Sequence, residues 1–205
     1  MAQAKEAATR AVALDPSLAE AHCSLGCSLL LHDWDWRNAE REFLRTVELN
    51  PRYQQNLAWY GMICLVWRQG RIDEGIAYAR RAVEYDPYSA HAHGELALVY
   101  SHAGRDAEAV KSGTAARELE ESFFTYWVFQ HACHCNGQLA EAAAAGELAL
   151  TLSGRQLVAM CAQAMILSDL GQEGRRTSDL RRGAGQGEPG VCFSDTHRHG
   201  RVCRR

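Results

Sequence analysis

The chain holds no apolar run of eighteen residues, the length a helix needs to cross a bilayer, and no charged-then-apolar segment follows Met1. Neither a membrane span nor an export signal is expected, and the expected compartment is the cytoplasm. Common catalytic signatures are also missing: no G-x-S-x-G, no phosphate-binding P-loop and no H-E-x-x-H. Carboxylates are plentiful, but Glu40 and Glu42, Glu118, Glu120 and Glu121, and Glu141 and Glu147 read as solvated helix faces rather than acid–base pairs. No catalytic residue, cofactor or small-molecule substrate is expected.

The eight cysteines do not make a disulfide framework. Cys23, Cys27, Cys64, Cys133 and Cys161 fall in apolar helical stripes, where a free thiol behaves as a small buried hydrophobe. The formal charge is −3, and it is unevenly spread. Residues 174–205 carry eight arginines against Asp179, Glu188 and Asp195, a local +5, which leaves −8 on residues 1–173. A basic tail on an acidic body raises nucleic acid as a partner, against the plainer reading of a solvated terminus.

Against these absences stands one regularity. Gly70, Gly104, Gly137 and Gly171 recur at spacings of 34, 33 and 34 residues. A fixed period in the thirties marks one supersecondary unit copied along the chain. Aligned on the glycines, each copy reads as helix, turn, helix. Residues 90–121 show it most clearly, with Leu96, Ala97 and Tyr100 before Gly104, and Ala109, Ala116 and Leu119 after it. Proline is scarce, yet Pro16, Pro51 and Pro87 fall at spacings of 35 and 36, where one helix pair meets the next.

The pattern resembles the tetratricopeptide repeat. His22, Leu25, Gly26 and Leu29, then Ala39, Phe43 and Pro51, match one copy; Trp59, Met62, Gly70, Ala79, Ala82 and Pro87 match the next. His93, Leu96, Ala97, Tyr100, Gly104, Ala109 and Ala116 make a third, and Trp127, Gly137, Ala142 and Ala149 a fourth. The resemblance implies an all-α fold, a right-handed solenoid of antiparallel helix pairs. The expected division is 1–16 as a lone second helix, repeats at 17–53, 54–89, 90–123 and 124–156, a degenerate repeat at 157–188 and an irregular basic tail at 189–205. A bare second helix at the start suggests a truncated parent. Val191–Arg205, back-translated and read one nucleotide later, can give a repeat-like YAFLIRIATAVYAA, so a frameshift is the expectation for the tail.

The resemblance also implies a function: a scaffold that holds a partner protein's peptide or amphipathic helix in the groove lined by the first helix of each pair. Carried over from the glycine alignment, that wall includes Tyr60, Cys64, Trp67 and Arg68, then Glu95, Leu98 and His102, then Phe129, with Tyr60, Trp67, Leu98 and Phe129 as candidate anchors. The paired Lys, Arg and Asn clamp of the family's chaperone-binding members is missing. Asp33-Trp34-Asp35-Trp36 sits in the first full turn, one residue longer than usual, and is similar to a turn in repeat arrays of bacterial regulatory proteins. It is expected to be structural, with a tryptophan packed over the helix pair.

The alternative is a metal-binding or nucleic-acid-contacting accessory module. His131, Cys133 and His134 lie close in sequence, but a fourth ligand is missing and core packing is preferred. Cys192, His197, His199 and Cys203 match no common zinc-finger spacing. No metal is expected, and neither is a membrane or nucleic-acid partner.

Overall fold

The computed structural model describes residues 2–171. The second helix expected in the last repeat, the basic tail with its cysteines and histidines, and the frameshift all lie outside the described residues. Among the described residues the fold is all-α, with ten α-helices, two π-helical segments and no strand. None of these helices is long and apolar enough to cross a membrane. The chain divides into two compact units, residues 1–99 and 100–205.

In the first unit α1 (Ala2–Leu14) precedes α2 (Ala19–Ser28), which runs on as a π-helical segment, Leu29–Asp33. Next come α3 (Trp36–Leu49), then α4 (Gln54–Trp59) with a second π-helical segment, Tyr60–Arg68, then α5 (Ile72–Tyr85) and the first part of α6 (Ala90–His102). Neighbours in sequence pack together, α1 on α2, α2 on α3 and α4 on α5. On α3 the stripe Ala39, Phe43 and Thr46 is buried, the three- and four-residue step of one helix face. Phe43 reaches α2 only because residue 26 is glycine: a Cβ there would sit 2.9 Å from the ring. Asn56 Nδ2 donates to the Phe43 carbonyl at 3.1 Å, tying α4 to α3.

Each proline among the described residues sits three residues before a helix start: Pro16 before Ala19, Pro51 before Gln54, Pro87 before Ala90. Two of these starts are clamped by a histidine reaching back. The His22 and His93 Nε2–H groups donate to the carbonyls of Pro16 and Pro87, each at 3.0 Å.

The period breaks in an informative way at the other end of these helices. Gly70, Gly104, Gly137 and Gly171 all adopt positive φ, between 67° and 77°, the left-handed helix end that glycine enters without a Cβ clash. In the first full copy Trp34 takes that place, with φ 56°. For a residue with a side chain this backbone is unfavourable by roughly 1–2 kcal/mol. From helix start to left-handed residue the chain takes 14 residues from Ala90, but 15 from Ala19 and 16 from Gln54. The two longer copies are the two with π-helical segments, whose wider turns absorb the extra residues. The closing bonds show the same change. Arg105 N–H and Gln138 N–H reach back five residues, to Tyr100 and Cys133, whereas Asp35 and Arg71 reach back six, to Leu29 and Leu65. The extra residue expected in the Asp-Trp turn therefore lies in the helix before it.

The second unit holds the end of α6, α7 (Asp106–Leu119), α8 (Phe123–Cys135), α9 (Leu139–Leu152) and α10 (Leu157–Asp169). Its core gathers Tyr126, Phe129 and Cys133 of α8, Ala142, Ala145 and Ala149 of α9 and Ile166 of α10. Ser122 caps α8 in a reciprocal box: its hydroxyl accepts the Thr125 N–H, and the Thr125 hydroxyl accepts the Ser122 N–H. A polar pair is buried between α8 and α10, where Gln130 Nε2 donates to Gln163 Oε1 at 2.9 Å. Gln163 in turn donates to the Ala143 carbonyl at 3.0 Å and to Glu147 Oε1 at 3.1 Å. Gly146 makes the room. A Cβ there would lie 1.8 Å from Gln163 Oε1 and 2.3 Å from Gln130 Nε2.

Candidate partner-binding faces

In the first unit, α4 and α6 are joined by a polar contact. The Trp59 indole N–H donates to His91 Nε2 at 3.3 Å, linking α4 to α6. His91 Nε2 also lies 3.5 Å from Glu95 Oε1 one turn along.

Of the candidate residues here, Trp67 and Arg68 are exposed, Trp67 by 37%. They end the second π-helical segment, and Arg68 Nη1 donates to Glu40 Oε2 of α3 at 2.6 Å. Glu40 and Glu42 were expected on a solvated face; instead both are half-buried, with Glu42 Oε2 2.6 Å from His22 Nδ1. Tyr60, Cys64, Glu95 and Leu98 are buried. The Tyr60 ring meets Tyr78 of α5 edge-on at 5.1 Å, so it faces its own helix pair. Burial pushes the Tyr60 hydroxyl and the Cys64 thiol up to about 12, which keeps both neutral. Glu95 is 2% exposed, and its Oε2 has no partner among the described residues. Desolvation pushes its carboxyl up to about 8.

Trp59 and His91 are what the glycine alignment overlooks or underrates. Counting back from Gly70 crosses the two extra residues, which shifts the first half of that helix by two places. Counting forward from Pro51 would have put Trp59 on the shared face. Leu57 is fully buried with Ala58, Ala82 and Ala92.

In the second unit His102 is exposed at the end of α6, with its ring 6.3 Å from that of His131 on α8. Burial, then the His102 and His134 imidazoles, push His131 down to about 4, so its ring is neutral at ordinary pH. Phe129 is buried beneath the Arg117 guanidinium, 4.3 Å from its ring centre, and its backbone lies 3.3 Å from where a Gly113 Cβ would stand.

The His131, Cys133 and His134 cluster comes apart. Cys133 is buried in the core, His134 Nε2 pairs with Asp169 Oδ2 at 2.7 Å, and His131 Nε2 lies 3.8 Å from Cys135 Sγ. Among the described residues no group of three such side chains is arranged to hold a metal ion. Helical geometry is the cause: residues 131, 133 and 134 cannot share a face, because 133 lies about 200° round from 131 at 100° per residue. The described cysteines, Cys23, Cys27, Cys64, Cys133, Cys135 and Cys161, are free thiols.

The Asp-Trp turn is only partly as expected. Asp35 caps α3 by accepting the Asn38 N–H at 3.2 Å, a structural role. Trp36 is half-buried, but Trp34 is 56% exposed instead of packed over the helix pair.

No family model and no curated protein matches the chain. Solved structures do. The thermophilic TPR protein TTC0263 of Thermus thermophilus superposes with a TM-score of 0.74 at 15% identity, covering 82% of this chain and 91% of that one. A chain of the APC/C hetero-tetramer Cut9–Hcn1 gives 0.76 at 17% identity, covering 95% of this chain and 38% of the other. PilF of Pseudomonas aeruginosa gives 0.64 at 18% identity, covering 90% and 85%. Its repeated helix pairs and left-handed turns, together with these neighbours, show that the chain carries the tetratricopeptide-repeat fold.

Proposed function

We propose that the chain is a protein-interaction scaffold, and that its first unit binds an extended peptide or amphipathic helix of a partner protein along the face where Trp67 and Arg68 stand. The observation that carries this reading is the contrast within the candidate set. Tyr60, Cys64, Glu95 and Leu98 are buried, while Trp67 keeps a large aromatic surface open beside a guanidinium held by Glu40. Tryptophan and arginine are the residue types that most often dominate binding energy at protein interfaces. In the second unit the exposed His102 offers a further contact, and Phe129 serves as core packing. The buried residues set the shape and polarity of the face.

The repeat boundaries at 17–53, 54–89, 90–123 and 124–156 belong to this reading, as does a setting in a bacterial regulatory protein. The latter is supported by the likeness of the Asp33–Trp36 turn to such arrays. A scaffold needs no chemistry of its own, so no catalytic role is assigned.

The test is capture of the partner by wild type and by Trp67→Ala/Arg68→Ala, with thermal melts of both. Both side chains are exposed, so the variant is expected to melt within a few degrees of wild type while partner recovery falls at least tenfold. Undiminished recovery rejects this face.

A further inference from the structure

Trp59, His91 and Glu95 make a polar row between α4 and α6, apart from the proposed Trp67 contact. The Trp59 indole N–H donates to His91 Nε2 at 3.3 Å. That nitrogen is the acceptor, so the proton of the neutral imidazole sits on Nδ1. Glu95 Oε1 lies 3.5 Å from the same Nε2. Were Glu95 ionised, two lone pairs would face each other there with no hydrogen between them. Its other oxygen offers no relief: Glu95 is 2% exposed, and Oε2 has no hydrogen-bond partner among the described residues. A neutral carboxyl is tolerated in this setting, whereas a carboxylate is strongly destabilised until a donor or water reaches it.

The titratable groups around Glu95 are His91, one turn back on α6, and, from α2, the Cys27 thiol. Neither is a fixed positive charge. His91 turns cationic toward Glu95 only by taking a proton on Nε2, and an Nε2–H no longer accepts from Trp59. The other way to accommodate the charge is water, which has to enter between the two helices to reach the carboxylate. Both routes break the Trp59–His91 bond.

We propose that the Trp59–His91–Glu95 row is a proton-controlled clasp between α4 and α6, closed while Glu95 is protonated and opened when Glu95 gives its proton to solvent. Burial places the switch: it pushes the Glu95 carboxyl up to about 8, so the clasp is closed at pH 6 and opens as pH rises through that value. This device does not rest on the partner-binding reading.

The test is NMR of the full chain, following solvent exchange of the Trp59 indole N–H, assigned by its loss in Trp59→Phe. At each pH the rate is divided by that of the indole in free N-acetyltryptophanamide, which cancels the intrinsic pH dependence. Protection in wild type is expected to fall at least tenfold between pH 6 and pH 9, with a one-proton midpoint at about 8 and an unchanged far-ultraviolet circular dichroism spectrum. Glu95→Gln is expected to stay protected throughout, His91→Ala to lack protection already at pH 6, and Cys27→Ser to keep the wild-type midpoint. Constant protection in wild type overturns the proposal, as does a transition that survives in Glu95→Gln. A midpoint lost in Cys27→Ser also overturns it, since the thiol would then be the group that titrates. Helical signal lost at the same midpoint does so too, because the chain would then be unfolding as a whole. Should Glu95→Gln not fold, His91→Ala decides: protection retained in that variant at pH 6 overturns the clasp.

Discussion

Glu95 shows how a single buried group couples the fold to pH. Its carboxyl sits at about 8 in the folded chain, driven up by desolvation, against 4.5 for an ordinary glutamate. Between those values the folded chain holds a proton that the unfolded chain has released. Stability from this group is therefore full below about pH 4.5 and is lost as pH rises toward 8, by up to about 1.4 kcal/mol per pH unit. Glu95→Gln mimics the protonated carboxyl at every pH. Urea unfolding at pH 5 and pH 8 is expected to show the variant close to wild type at the lower value and clearly more stable at the higher. Equal stability at both pH values would mean that Glu95 is already ionised in the fold. The repeat alignment picks out Glu95 but not its burial, which depends on which neighbours crowd α6.

At the level of elements, local rules account for most of what was legible. Prolines announce helix starts and glycines announce helix ends, because each acts through its own backbone angle. The α8 start follows such a rule without proline: Ser122 and Thr125 satisfy each other's exposed N–H groups. Ser122→Ala is expected to lower stability by about 1 kcal/mol and to speed amide exchange in the first turn of α8. Hydrogen exchange by NMR reads both; protection equal to wild type at Thr125 and Tyr126 would contradict the role given to the cap. The π-helical segments were less legible. Two extra residues between Pro51 and Gly70 could lie in a loop, in the turn or in the helix, and the spacing alone does not choose. The structure puts them inside the helix, which keeps both ends in register and explains why Tyr60 and Leu57 face the packing side.

For the whole molecule, contacts run mainly between helices adjacent in sequence, such as α2 with α3 in the first unit and α8 with α9 in the second. In repeat folds stability is close to a sum of unit and nearest-neighbour contributions. Damage should therefore stay near its source. Gly146→Ala forces a methyl group into the Gln130–Gln163 pair, combining overpacking with broken buried hydrogen bonds, a loss of about 3 kcal/mol or more. Hydrogen exchange read by mass spectrometry is expected to show faster exchange across α8, α9 and α10, with peptides from residues 19–85 unchanged. A uniform rise over both units would show that the chain unfolds as one cooperative body.

The sequence by itself determined the repeat, its helix–turn–helix unit and the places where helices begin and end. These follow from periodicity and from the backbone preferences of proline and glycine, both local properties. Only the tertiary structure decided which side chains face a partner. One residue of register turns a helix face by about 100°, so two residues absorbed within a helix moved Trp59 onto the shared face and turned Tyr60 toward Tyr78. The same three-dimensional packing left Trp34 and Trp67 open while enclosing Leu98, Glu95 and Phe129, since exposure depends on what neighbouring helices cover.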